Sequence, residues 1–166
     1  MMEEVILVNE NDVVIGTMEK LEAHKKGLLH RAFSVFIFND KNELLLQRRA
    51  LNKYHSGGLW TNTCCSHPRP NENILNAANR RLVEEMGFET ELTFKTSFIY
   101  NTEFENGLTE HEFDHIFFGT YNVNPKINAD EVDSFTWLTI EDVNQKIKQN
   151  PNEFTSWFKI ALEKLF

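Results

Sequence analysis

Cysteine is scarce in this chain. There are two in 166 residues, and they are adjacent, Cys64 and Cys65. A disulfide between neighbours closes a strained ring, and two thiols cannot build a disulfide framework. The fold must therefore be held by its core, and the thiols are expected to be reduced, in a cytoplasmic protein. Four prolines and seven glycines exclude collagen-like and linker-like segments, and no internal repeat is visible. No apolar run reaches the length of about 18 residues that a membrane helix needs, so no membrane partner is expected. The amino-terminal MMEEVILVNE carries acids where a secretory leader needs cations. Cations are the last shortage: 17 Lys and Arg face 25 Asp and Glu, for a net charge of -8 and a pI of about 5.3. That balance argues against a general nucleic-acid binder but leaves room for a local basic pocket.

Phenylalanine is plentiful. Fourteen in a chain of this length point to a core, and to a cavity wall, rich in aromatic faces. The length suits one domain spanning residues 1–166. Residues 5–8 and 13–15 read as two short strands joined by the turn NEND, and residues 19–26 as a helical turn closed by Gly27. HRAFSVFIF, residues 30–38, is β-branched and aromatic throughout and reads as a buried strand, with LLLQR, residues 44–48, as its hairpin partner. Apolar residues Ile74, Ala78, Leu82 and Met86 recur every fourth position and predict a helix over 74–86, ended by Gly87. Strands follow at 91–100, 112–122 and 135–138. Helices over 140–149 and 153–166 are separated at Asn150-Pro151. Strands, one internal helix, more strands and terminal helices predict an α/β (α+β) sandwich of mixed sheets with flanking helices. No GxGxxG or GxxxxGK[ST] is present.

The chemistry-bearing residues are concentrated. TNTCCSHPRP, residues 61–70, puts two thiols and the imidazole of His67 on one short loop. A disulfide, a metal site, a catalytic thiol and no role at all are open readings. His24 and His30 flank the turn before the strong strand. Glu110 and Glu112 are two apart, so an extended chain points both carboxylates to one face. Three imidazoles and two carboxylates suit Mn²⁺, Mg²⁺ or Zn²⁺, although spacing alone does not show that they converge. On the helix, Arg80 with Glu84 and Arg81 with Glu85 are i, i+4 pairs, which read first as a solvated, salt-bridged face.

The run from Glu72 through RRLVEEMGF resembles the Nudix box, in which helix carboxylates hold divalent cations on a diphosphate. It departs from that box in two places. Ser66 stands where the box opens with glycine, and Arg81 where it has an acid. Arg81 at that position weakens a hydrolytic metal cluster and offers a phosphate contact instead. The ordered set LLHRAFSVFIF, LLLQRRA, LWTNTCCSHP, RRLVEEMG and TEHEFDHIF resembles, from about Asn9 to Trp157, the metal-dependent, Nudix-like isopentenyl-diphosphate isomerase family.

The resemblance implies a Nudix-like sandwich and an isoprenoid diphosphate as substrate. It also implies a role for each matching residue. Cys65 is the catalytic cysteine and Glu112 its proton-transfer counterpart, with Tyr100 beside that carboxylate and Trp157 as the active-site tryptophan. His24, His30, His67, Glu110 and Glu112 are the ligands of the first metal, and Glu85 is the carboxylate of a substrate-side Mg²⁺. Lys20, Arg49, Lys53 and Arg81 grip the diphosphate. Cys64 is expected to be an inert buried thiol. A Nudix-type diphosphate hydrolase is the alternative, and oligomeric state is not legible.

Overall fold

The computed structural model of the protein describes residues 3–166. Strands β1 (Glu4–Val8) and β2 (Val14–Glu19) form the expected antiparallel hairpin. Helix α1 (Lys20–Lys26) starts where the Glu19 carboxylate accepts from the amides of Leu21 and Glu22, and it ends at Gly27 in the left-handed region. Next come β3 (His30–Phe38), β4 (Glu43–Arg49), and the short strands β5 (Trp60–Thr61) and β6 (Cys64–Ser66). Helix α2 (Ile74–Met86) is followed by β7 (Thr93–Glu103), β8 (Thr109–Thr120) and β9 (Val132–Thr139). Helix α3 (Ile140–Gln149), one 3₁₀ turn over Pro151–Glu153 and helix α4 (Ser156–Leu165) end the chain.

The expected hairpin of β3 with β4 is present at its turn but does not extend along the strands. Only Phe38 and Leu44 pair beside the turn, after which the strands diverge. β3 runs parallel to β8 over its whole length and antiparallel to β6, giving the mixed order β7–β8–β3–β6. β4 pairs instead with β9 on one side and β5 on the other. Two corrections follow for the segments around the site. The loop expected at residues 61–70 contains two strands, because Cys64–Ser66 completes the sheet beside β3. The last helix begins at Ser156 rather than 153, since Thr155 caps it by accepting from the amide of Phe158.

Both faces of the sheet are covered, which is why β3 is apolar at consecutive positions rather than at alternate ones. Phe33, Val35, Ile37, Leu45 and Phe117 pack with Ala77, Ala78, Leu82 and Met86 of α2. Phe36, Leu44, Leu46 and Ile116 pack with Phe158, Ala161 and Leu162 of α4. The result is a helix–sheet–helix sandwich with the site at the edge of the second layer.

Gly87 closes α2 at φ 73°, and a Cβ there would meet the Lys126 carbonyl oxygen at 2.5 Å. Left-handed backbone alone costs a non-glycine residue about 1–2 kcal/mol. Gly87→Ala is expected to lower stability by at least about 1–2 kcal/mol on this ground, read as a lower urea midpoint at unchanged slope.

Candidate active site

The period-two geometry of β-strands assembles the site. Glu110, Glu112 and Asp114 of β8 project to one face, and Tyr100 of β7 lies opposite Glu112 in the antiparallel register. β3 runs parallel to β8, with His30 opposite Glu112. β6 runs on the other side of β3, with Cys65 opposite Ser34, so Cys65 shares that face. Cys64, one residue earlier, points the other way, toward α2.

His24 and His30 are fully buried. The Nδ1–H of His24 donates to the Lys20 carbonyl at 2.7 Å, and that of His30 to the Leu28 carbonyl at 2.8 Å. A carbonyl only accepts, so these bonds place a proton on each Nδ1, and in the neutral rings both Nε2 atoms are lone pairs. Neither Nε2 has a hydrogen-bond partner among the described residues. His24 Nε2 lies 3.6 Å from Glu110 Oε2, and His30 Nε2 lies 3.3 Å from Glu112 Oε2. His67 Nε2 is 2.7 Å from that same Glu112 oxygen. The Tyr100 hydroxyl has one proton to give and sits against both Glu110 Oε1 and Glu112 Oε1.

Buried, unpartnered imidazole nitrogens converging on two carboxylates fit a divalent cation, and the carbonyl-anchored Nδ1–H groups are the orientation such ligands need. The ligand atoms of His24, His30, His67 and Glu112 lie within 4.8 Å of one another. Those of His24, His55 and Glu110 do so as a second, overlapping group.

The electrostatics follow from burial and these neighbours. Burial works to raise the Glu110 carboxyl, yet the imidazoles of His24 and His55 with the Tyr100 hydroxyl outweigh it and hold it well below the carboxylate range. Burial and the charge of Glu110 work to raise Glu112, and His67 and His30 turn the balance downward. Burial dominates at His67 and lowers it. Asp114 goes the other way. Burial first and the Glu112 charge second raise it well above the usual range, and the Ser34 hydroxyl donating at 2.8 Å offsets only part of this.

The thiol of Cys65 donates to Asn62 Oδ1 at 3.0 Å, and Trp157 Nε1–H donates to its sulfur at 3.2 Å. Burial, then the Asp114 charge, push the Cys65 thiol up to about 12 against the opposing Trp157 N–H. Cys64 is fully buried and both cysteines are free. Its thiol donates to Glu85 Oε2 at 3.4 Å. Glu85 is further held by Gln47 Nε2 at 3.0 Å and Arg81 Nη2 at 2.9 Å. Cys64 is thus a packing residue that also steadies Glu85.

Lys20, Arg49, Lys53, Arg81, Glu85, Cys65, His67, Glu110, Glu112 and Trp157 line one cleft, with Tyr100, His24 and His30 forming its closed inner wall. The residues to which the resemblance assigns a catalytic, metal or diphosphate role are therefore gathered here. Arg49 lies 5.1 Å from the Trp157 ring centroid. Arg81 is raised: burial lowers it, and the surrounding acids, Glu85 foremost, overcome that.

Four participants escaped the sequence. Glu131 pairs with Lys53 and, at 3.3 Å, with Arg81, so an acid already bridges the two cations. Gln47 and His55 are the second and third, and no spacing pattern marks either. Asp114 continues the Glu110, Glu112 alternation and was findable from it.

Residues 28–158 match the family described as NUDIX domain. A protein of Pectobacterium atrosepticum named isopentenyl-diphosphate Delta-isomerase is 51% identical over 162 residues, covering 98% of this chain and 90% of that relative. Isopentenyl-diphosphate Delta-isomerase 2 of Aromatoleum aromaticum is 48% identical over 165 residues, covering 99% of this chain and 87% of its own. A solved structure from Deinococcus radiodurans superposes with a TM-score of 0.83 at 19% identity, covering 99% of both chains, and bears on the fold alone.

Proposed function

The chain belongs to the NUDIX-domain family and, within it, to the isopentenyl-diphosphate Delta-isomerases, and from that membership and the cleft we propose that it interconverts isopentenyl diphosphate and dimethylallyl diphosphate, in isoprenoid biosynthesis in the cytoplasm. The observation that carries this reading is the thiol of Cys65 sharing one cleft with the carboxylate of Glu112, with the indole N–H of Trp157 on the sulfur.

The reaction moves a double bond. One proton adds to the terminal alkene carbon, the neighbouring carbon becomes a tertiary cation, and a different proton leaves C2. Cys65 is the acid. Burial keeps its sulfur protonated through the neutral range. The Trp157 N–H, already on that sulfur, stabilises the thiolate left behind. The indole face lowers the energy of the cation by about 2 kcal/mol or more once water is excluded. Glu112 accepts the C2 proton, and Tyr100, His30 and His67 fix the direction of its two oxygens. Water must be kept out because it captures a carbocation. Tyr54, Trp157 and the closed histidine wall serve that end.

His24, His30, His67, Glu110 and Glu112 would hold a divalent cation, whose charge would lock these side chains and tune Glu112. Its imidazole-rich donor set suits Mn²⁺ or Zn²⁺ better than Mg²⁺, which prefers oxygen. Glu85 would hold a Mg²⁺ that neutralises charge on the diphosphate. Lys20, Arg49, Lys53 and Arg81 bind the diphosphate, which takes over the pairing that Glu131 gives Lys53 and Arg81.

Proton NMR of isopentenyl diphosphate with the protein, Mg²⁺ and D₂O tests the reading. Dimethylallyl diphosphate with deuterium in a methyl group is the expected product. Release of phosphate or a monophosphate ester would instead identify a Nudix hydrolase. Untouched substrate with folded, metal-loaded protein would overturn both.

A further inference from the structure

None of the residues that the family resemblance maps onto this chain is His55, yet this imidazole reaches the centre of the site. We propose that His55 is a fourth imidazole ligand of the His/Glu metal centre, sharing Glu110 with His24. The inference rests on the metal centre of the preceding section and adds a donor to it.

His55 is 6% exposed, although it sits on the loop between β4 and β5. Two contacts hold its ring. It stacks on Phe104 at 4.4 Å between centroids with a 12° interplanar angle, and it meets Trp157 edge-on at 5.6 Å. The backbone is held as well. The Gly58 amide donates to the Arg49 carbonyl and the Arg49 amide to the Leu59 carbonyl, pinning the loop across its base. A Cβ on Gly57 would meet the Leu51 carbonyl oxygen at 2.6 Å, so only glycine lets the chain double back there.

The ring's two nitrogens repeat the pattern of His24. In His24, Nδ1 is occupied by a backbone carbonyl, and Nε2 is buried, unpartnered and 3.6 Å from Glu110 Oε2. In His55, Nδ1 is 3.2 Å from Ser56 Oγ, and Nε2 is buried, without a hydrogen-bond partner among the described residues, and 3.4 Å from the same Glu110 Oε2. The Ser56 hydroxyl both donates and accepts, and in the tautomer whose Nδ1–H donates to it, Nε2 offers a lone pair. The donor atoms of His24, His55 and Glu110 have the spacing of ligands around a cation, whose bonds to nitrogen and oxygen run about 2.0–2.2 Å, and His24 is the member this trio shares with His30, His67 and Glu112. A fourth imidazole also moves the site's preference further from Mg²⁺ toward transition ions.

Loading the full chain with the spin-half isotope of cadmium gives a count of ligands independent of turnover. A cadmium–proton correlation spectrum shows the ring protons of each coordinated imidazole. Four coupled imidazoles in the native protein, and three in His55→Gln with about a ten- to hundredfold weaker chelator-competed affinity, are the expected result. Three coupled rings in the native protein, with His55 uncoupled, would overturn the proposal and leave His55 as a hydrogen-bond donor to Glu110. The native count stands even if His55→Gln misfolds. A native protein that binds no cadmium removes the metal centre and this proposal with it. Four couplings without isomerase turnover keep the proposal and remove the functional reading.

Discussion

Cys65→Ala is expected to fold normally and to lose about 10²–10⁴ in turnover, the range a positioned general acid contributes. The residue is half-buried, and the substitution removes one sulfur from a wall already spanned by Asn62 and Trp157, so the thermal midpoint should move little. Cys64→Ala is the internal control, with the opposite profile. Its sulfur sits in the α2-side core among Phe33, Leu82 and Met86, so truncation is expected to cost stability, about 0.5–3 kcal/mol. Most turnover survives, because Gln47 and Arg81 still hold Glu85.

The pH profile adds a second check. An acid works only while protonated, and burial moves the Cys65 thiol up to about 12. The rate should therefore show no alkaline loss in the ordinary thiol range near pH 8.5. Retained turnover in Cys65→Ala, measured by the same proton NMR assay, removes the acid assignment.

The paired cysteines also show what a sequence gives away and what it withholds. That one thiol is inert and the other faces a reaction is a consequence of strand alternation, and it becomes visible only when residues 64–66 are seen to pair with β3. Read as a loop, the segment offers no reason for its neighbours to point apart. The same alternation was legible in TEHEFDH, where Glu110 and Glu112 were matched, and Asp114 two residues on lay within reach of the same argument.

The apolar run of β3 reads correctly as a buried strand, but its main partners, β8 and β6, do not. A tight turn to LLLQR suggests a hairpin, whereas burial on both faces favours a parallel neighbour, and β8 fills that place from eighty residues away. Local turn chemistry carries no information about that distant strand. His55 and Glu131 mark the other limit. Each lies in an irregular segment with no period, and each meets the site only because the backbone brackets it there: the glycine pair for one, and the amide of Glu131 on the Asn128 carbonyl for the other.

Glu112→Gln should be the second most damaging change, and comparison with Glu110→Gln separates the two things Glu112 does. Glutamine keeps the size and one carbonyl acceptor but loses the charge and the basicity. At Glu110 the lost carboxylate is a metal ligand between His24 and His55, with its other oxygen against Tyr100. Affinity is expected to fall about 10–100-fold, the scale seen when a metal site is disturbed, and much of the rate should return at saturating Mn²⁺ or Zn²⁺. At Glu112 the same affinity loss is joined by loss of the group assigned to the C2 proton. Turnover is expected to stay down by about 10²–10⁴ at any metal concentration, as for removal of a general base. Tyr100→Phe, which withdraws the hydroxyl shared by both carboxylates, should fall between the two. The measurement is rate against metal concentration for all three variants, with affinity read separately by chelator competition. Full rescue of Glu112→Gln by metal would make it a ligand alone. The base would then have to be sought at Asp114, the next carboxyl along that face of β8, whose pKa burial and Glu112 raise. Failure to rescue, with affinity restored, fixes the proton transfer on Glu112. The protein then has its acid on β6 and its base on β8, on opposite flanks of β3, the strand that holds both in register.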